Sequence, residues 1–223
     1  MKGKLLNILS VNCQGLRDRK KRLKLYKWSR DLNMHVLFLQ ETHFSSDITD
    51  IHDKYDWFGR SYHSFGTTKS CGVSILIRNR VIEVLNYTSF DNGRSIGVRI
   101  SYGGETLWLI NVYAPNNITL RKQFFEKCFD FIDENVLPGE GVIFGGDFNT
   151  VLNYKLDKEG GILKDFHDAV YLRTQFGMRE FVDIWRDRHT NNKEFSHKQT
   201  CHGLVKTRID FFYDFKLAKR LCE

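Results

Sequence analysis

Seven short apolar runs, at residues 5–11, 36–39, 72–77, 95–100, 107–113, 141–144 and 209–213, divide the chain and are each bounded by polar sequence. Runs of this length with polar ends read as strands, so the fold is rich in β-structure. In one pair, Ile96, Val98 and Ile100 alternate with Ser95, Gly97 and Arg99, and Gly103-Gly104 then turns the chain into Leu107-Trp-Leu-Ile110. That pattern predicts an antiparallel hairpin and excludes a purely parallel sheet. Helical spacing occupies residues 120–136, where Leu120, Phe124, Cys128, Ile132 and Val136 recur on one side, Phe125 and Phe129 widen it, and Pro138-Gly139 closes it. Two more helices are expected, at 20–32 with Leu25, Trp28 and Leu32 on one side, and at 164–176 with Phe166, Val170 and Phe176. Strands interleaved with helices, plus a hairpin, point to a mixed α+β sandwich rather than a bundle or an all-β barrel.

With 223 residues, of which 41% are hydrophobic and 14% aromatic, the chain can fill a substantial core, which excludes extensive disorder. Two prolines and no Gly- or Ser-rich stretch leave no linker, so one domain over residues 1–223 is the simplest organisation. No apolar run approaches the roughly 20 residues of a membrane span, and the N-terminus lacks the pattern of a secretory signal. The five cysteines are odd in number and scattered, which predicts reduced thiols, an intracellular setting and no disulfide-linked partner. Cys201, His202 and Cys222 lack zinc-ligand spacing. A net charge of +7 suits a polyanionic partner, although basic proteins of other kinds share it.

Polar residues fall at the carboxyl ends of the strand runs: Asn12 after 5–11, Glu41 after 36–39, Tyr113 and Asn116 at the close of 107–113, and Asp147 with Asn149 after 141–144. In α/β folds such ends converge on a cleft, so residues distant in sequence can share one site. Glu41 and Asp147 are the residue types that hold a hard divalent cation through oxygen, which makes Mg2+ the natural candidate. In Gly145-Gly-Asp-Phe-Asn-Thr150 the glycines allow close backbone approach to a substrate and present a carboxylate and an amide that can orient one water. Taken singly, the same residues suit a β-turn, a cap or ordinary packing.

Ser10-Val-Asn12, Leu39-Gln-Glu-Thr-His43, Asn111-Val-Tyr-Ala-Pro-Asn116, Gly145-Gly-Asp-Phe-Asn149 and Arg208-Ile-Asp-Phe211, in that order, resemble the endonuclease/exonuclease/phosphatase superfamily over nearly the whole chain. Gln40-Glu-Thr-His43, with Asp183-Ile-Trp-Arg186 and Glu194-Phe-Ser196, is most similar to the apurinic-like endonuclease domain of non-LTR (LINE-type) retrotransposons. The resemblance implies a four-layer α/β/β/α sandwich of two mixed sheets flanked by helices, and a Mg2+-dependent (or Mn2+-dependent) nicking reaction on duplex DNA. It implies that Glu41 binds the metal with help from Asn12, and that Asp147 activates or orients the attacking water. Asn149 would hold Asp147 and the phosphate, Tyr113 would contact the scissile phosphate, and Asp210 would orient a catalytic histidine. A nuclear location follows from the resemblance alone.

The superfamily pattern ends with a Ser-Asp-His motif and one further strand, whereas this chain closes at Leu221-Cys-Glu223. The expectation is a C-terminally incomplete domain with weak or no nicking activity, because Asp210 lacks the imidazole it should orient.

Two basic segments are candidates for DNA contact. The 17–30 strip carries Lys20, Lys21, Arg22 and Lys24, and the 196–208 segment carries Lys198, Lys206 and Arg208. The first also suits a solvated helix face and the second a plain polar hairpin. Two alternatives to an endonuclease are a non-catalytic nucleic-acid-binding remnant and a phosphomonoesterase of the same superfamily.

Overall fold

The computed structural model describes residues 5–161, 167–200 and 204–215. In chain order the elements are β1 (Ile8–Asn12), α1 (Arg19–Asp31), β2 (Val36–Gln40), α2 (Ser46–Ile51) running into a π-helical turn (His52–Asp56), β3 (Arg60–Ser64), β4 (Val73–Ile77), β5 (Glu83–Asp91), β6 (Ser95–Tyr102) and β7 (Glu105–Tyr113). They continue as α3 (Ile118–Asn135), β8 (Gly141–Asp147), β9 (Lys158–Glu159), α4 (His167–Met178), β10 (Phe181–Asp183), α5 (Ile184–Arg188), β11 (His197–Gln199), β12 (Val205–Thr207) and β13 (Asp210–Phe215).

One sheet runs in the order β1-β2-β4-β3 and the other β10-β13-β8-β7-β6-β5, with a small β11-β12-β9 sheet at one side. Both large sheets are mixed. β1 and β2 are parallel, as are β7 and β8, while the remaining ladders are antiparallel, including the expected β6–β7 hairpin. The sheets face each other across Phe38, Ile75, Val98, Leu109 and Ile143. Leu37, Leu39 and Leu76, on the opposite side of the first sheet, pack under α1 through Tyr26 and Leu16. On the outer side of the second sheet, α3 and α4 bury Phe125, Phe129, Leu172 and Phe176 against Ile110, Val142 and Phe144. This is the α/β/β/α sandwich the resemblance implies.

The helix faces depart from expectation in part. α3 buries Phe124, Cys128 and Ile132 as its spacing predicts, but Leu120 is exposed because it lies in the first turn, where Asn117 caps the free N–H groups of Thr119 and Leu120. On α1 the buried side is Arg22, Tyr26 and Ser29, whereas Trp28 and Leu32 face solvent. On α4 the buried residues include Ala169, Leu172 and Phe176, and Val170 is exposed; Phe166 lies outside the described residues. Cys201, His202 and Cys222, and the chain end at 216–223, also lie outside them. Among the described residues, β1 is an edge strand, and no helix is long and apolar enough to cross a bilayer.

Candidate active site

Register builds one half of the site. Tyr113 on β7 pairs with Asp147 on β8, and Asp147 pairs with Asp210 on β13. Directly paired residues present their side chains to the same side of a sheet, so phenol and two carboxyls form one row across three strands. The other half comes from the facing sheet, where Asn12 ends β1 opposite Gln40, and Glu41 follows at once. Glu41 has φ of +50° and Asn149 of +50°, a left-handed conformation that costs a glutamate free energy and is held here by its surroundings.

The two halves meet at one amide. Asn12 Nδ2 donates to Glu41 Oε1 at 2.9 Å and to Asp147 Oδ2 at 2.9 Å, so both carboxylates surround a single point. Asp147 Oδ1 accepts from the Asn149 backbone N–H at 2.9 Å, and Asn149 Nδ2 donates to the Ala114 carbonyl at 2.8 Å. The Asx turn and the functional cluster are therefore the same structure. Burial pushes the Asp147 carboxyl up to about 7, reinforced by the negative charges of Asp210 and Glu41 and partly offset by Asn12. Burial also raises Asp210, which Ser196 opposes by hydrogen bonding to the carboxylate. Tyr113 is pushed well above the usual phenol range by burial and by the Glu41 carboxylate, so it stays a hydrogen-bond donor.

Among the described residues no cationic side chain hydrogen-bonds to these carboxyls, and a hard divalent ion is the chemical counterpart of such an oxygen donor set. Glu41 and Asp147 are the groups that fit it, and Asn12, whose Oδ1 accepts from the Gln14 N–H at 3.1 Å, would turn its amide over to add an oxygen.

Behind the site, Gln40 Nε2 donates to Asn111 Oδ1 at 2.6 Å, while Asn111 Nδ2 donates to the carbonyls of Leu39 and Ser74. This buried amide pair ties the first sheet to the second and fixes the spacing of Glu41 from Asp147. Both residues lie in the 39–43 and 111–116 segments, where nothing local signals that they pair across the sheets. Arg94, also missed, donates to the Tyr113 carbonyl at 3.2 Å and lies 5.3 Å from the Tyr113 ring centroid. Its signal was weak, a lone arginine at the entry to a strand. An open groove of about 540 Å³ beside Asp210 is lined by Ser10, Trp185, His189, Phe195, Ser196 and Phe211, among others.

Several expectations need correction. Asn116 is exposed and stands outside the cluster; its carbonyl accepts from Arg121. Gly145 and Gly146 lie within β8, where protein atoms take up the close approach expected of a substrate. A Cβ at Gly145 would meet the Phe212 ring at 2.5 Å, and one at Gly146 would meet the Val112 carbonyl at 2.2 Å, so these glycines serve strand packing. Arg22 is 4% exposed and bonded to Asp56 and to the Leu16 and Arg17 carbonyls, which removes it from any DNA surface. Arg208 is 6% exposed, clamped between Asp157 and Asp183, with Arg186 joining Asp157. The Asp183-Ile-Trp-Arg186 segment thus anchors the base of the β11–β12 hairpin. A buried guanidinium pairs with carboxylates because its desolvation is otherwise costly.

The remaining basic candidates differ in freedom. Lys20 and Lys24 are exposed on α1, whereas Lys21 Nζ donates to the Cys13 and Gln14 carbonyls beside Asn12. Lys198 and Lys206 stand directly opposite each other across the β11–β12 ladder, and Lys206 is paired with Glu159 at 2.6 Å. Cys13, Cys71 and Cys128 are free thiols.

Comparison with known proteins bears on the fold and the family. A Xenopus laevis protein, the transposon TX1 uncharacterized 149 kDa protein, is 32% identical over 210 residues; the match takes in 93% of this chain but 16% of that protein. The fold is shared with the endonuclease domain of TRAS1, a telomere-specific non-LTR retrotransposon, at a TM-score of 0.68 and 14% identity, covering 95% of this chain and 85% of that one. It is shared too with an AP endonuclease from Archaeoglobus fulgidus at 0.72 and 19%, covering 95% and 87%. D. rerio TDP2, solved with a single-strand DNA product, superposes at 0.69 with 16% identity, covering 95% and 84%. The model of the Endonuclease/Exonuclease/phosphatase family matches residues 6–213, and the chain belongs to that family of hydrolytic nucleases and phosphodiesterases, whose members generally use divalent metals.

Proposed function

We propose that residues 1–223 form one retrotransposon-type endonuclease domain that nicks duplex DNA with Mg2+, or Mn2+, held by Glu41, Asn12 and Asp147. The observation that carries this reading is the Asn12 amide shared at 2.9 Å by carboxylates from opposite sheets. A phosphodiester repels an attacking hydroxide, so hydrolysis needs its charge offset, a placed water, and donors aimed at the charge that develops. The cation supplies the charge compensation. Asp147 would orient the attacking water and take its proton. The Asn149 N–H holds that carboxyl in place, and the protonated Tyr113 hydroxyl donates to a phosphate oxygen. Asp210, on the groove side of the row, orients the histidine that the family resemblance expects.

The 223 residues contain no Ser-Asp-His sequence, and the described partner of the Asp210 carboxyl is Ser196. Nicking by this chain alone is accordingly slow relative to a form extended by such a segment. Lys20, Lys24, Lys198 and Lys206 supply phosphate contacts, and the place of action is nuclear by resemblance. Conversion of supercoiled plasmid to open circles with Mg2+ tests the reading. Asp147→Asn should lower the rate by about 100- to 10,000-fold with the fold intact. Unchanged nicking by that variant, or release of phosphate from a small ester in place of nicking, would overturn it. A salt-sensitive gel shift without cleavage would favour a binding remnant, for which the paired lysines of β11 and β12 are the supporting observation.

A further inference from the structure

A second cluster of metal-ligating side chains lies under α1, on the side of the first sheet away from its partner. His52 and Asp53 come from the π-helical turn and His63 from β3, and one ligand atom of each lies within 4.8 Å of the others. None of the three belongs to the carboxylate row at the strand ends.

The hydrogen-bond pattern is that of ligands already oriented. His52 turns Nδ1 to Asp53 Oδ1 at 2.5 Å and Nε2 to the Tyr26 hydroxyl at 2.6 Å. His63 turns Nδ1 to Ser74 Oγ at 2.7 Å, while its Nε2 stands 3.6 Å from Asp53 Oδ1. That Nε2 is buried with no hydrogen-bond partner, in a side chain only 7% exposed. A buried ring nitrogen left without a partner is costly, and a bound cation satisfies it. Each imidazole has its outer nitrogen against a hydroxyl, the arrangement that fixes tautomer and ring orientation when the inner nitrogen is metallated.

We propose that His52, Asp53 and His63 form a site for a borderline transition cation of the Zn2+ type. Two imidazoles and one carboxylate favour such an ion over Mg2+, which prefers an all-oxygen shell. The Asp53 side chain is 44% exposed and also accepts from Ser61 Oγ at 2.5 Å, so a fourth position opens toward solvent on that side. Ligands about 2.0–2.1 Å from a zinc ion stand roughly 3.3 Å apart in a tetrahedron, a spacing that a small shift of the exposed Asp53 carboxylate provides. Bound there, the ion links the π-helical turn to β3 and, through Tyr26, to α1.

The test is titration of the metal-free chain with Zn2+ against a chromophoric chelator, and with Co2+ followed by its visible absorption. The expected result is one tight equivalent that survives Glu41→Gln, together with a rise in melting temperature on adding Zn2+. His63→Gln and Asp53→Asn should each weaken binding at least tenfold and abolish the rise, with circular dichroism confirming the fold. Should His63→Gln fail to fold, the exposed Asp53→Asn decides alone. Equal affinity in wild type and Asp53→Asn, loss of the site in Glu41→Gln, or no tight equivalent at all overturns the proposal.

Discussion

Asp147 and Asp210 stand directly opposite each other where β8 meets β13. Two buried carboxyls in register cannot both ionise freely, and the third, Glu41, reaches the same point from the other sheet through Asn12. The row therefore stores unfavourable charge that a proton or a cation relieves.

That charge makes metal-free stability depend on pH in a specific direction. The folded chain keeps the Asp147 proton up to about pH 7, while the unfolded chain releases it near 3.8. Its contribution is fully present below the lower value and is lost as pH rises through the upper one. Denaturant unfolding without metal should show wild-type stability falling relative to Asp147→Asn between these limits, by on the order of 4 kcal/mol. Mg2+ should flatten the difference. A relative stability that rises with pH contradicts the assignment.

Buried and exposed members of the basic strip should separate cleanly. Arg22→Ala strips the buried Asp56 of its two-pronged partner, leaving the exposed Arg19 on the other oxygen, and is expected to cost about 3 kcal/mol, whereas Lys24→Ala should change stability by less than about 0.5 kcal/mol. Urea unfolding of the two variants checks this, and similar costs would refute the division.

Gly146 has φ of +127° and sits against the Val112 carbonyl, immediately before Asp147. Gly146→Ala should lose at least about 1–3 kcal/mol, because the new methyl meets backbone in a conformation alanine resists. A thermal-shift measurement that finds the variant as stable as wild type would show that the strand end tolerates displacement.

Phosphate contact by the hairpin is read from salt. Lys198→Gln should lower the slope of log K against log salt for duplex DNA by about 0.9, with little change of fold. Gel shifts or anisotropy over a salt series give the slope, and an unchanged value removes Lys198 from the interface.

Much of this architecture is legible in the amino-acid order, for identifiable reasons. Strands such as Val36–Gln40 and Gly141–Asp147 are buried on both faces and so read as continuous apolar runs. β5 escaped because it is an edge strand with a largely exposed, polar pattern, and β3 because it too lies at an edge and is half-buried. The buried face of α1 was misread because Arg22 pays for its burial through Asp56, a partner 34 residues away that no local pattern reveals. The residues of the site were visible as polar groups at strand ends. Their row across β7, β8 and β13 was not, since register is set by tertiary pairing. His52, Asp53 and His63 escaped for the same reason, being joined only when β3 folds under α1.

The shared point between Glu41 and Asp147 is tested most directly by Mn2+ binding, followed by electron paramagnetic resonance on wild type, Glu41→Gln, Asp147→Asn and Asn12→Ala. The account predicts one Mn2+ per wild-type chain displaceable by Mg2+, and loss or at least tenfold weakening of that equivalent in each of the three variants, all folded. Retention of wild-type affinity by both carboxylate variants would contradict it.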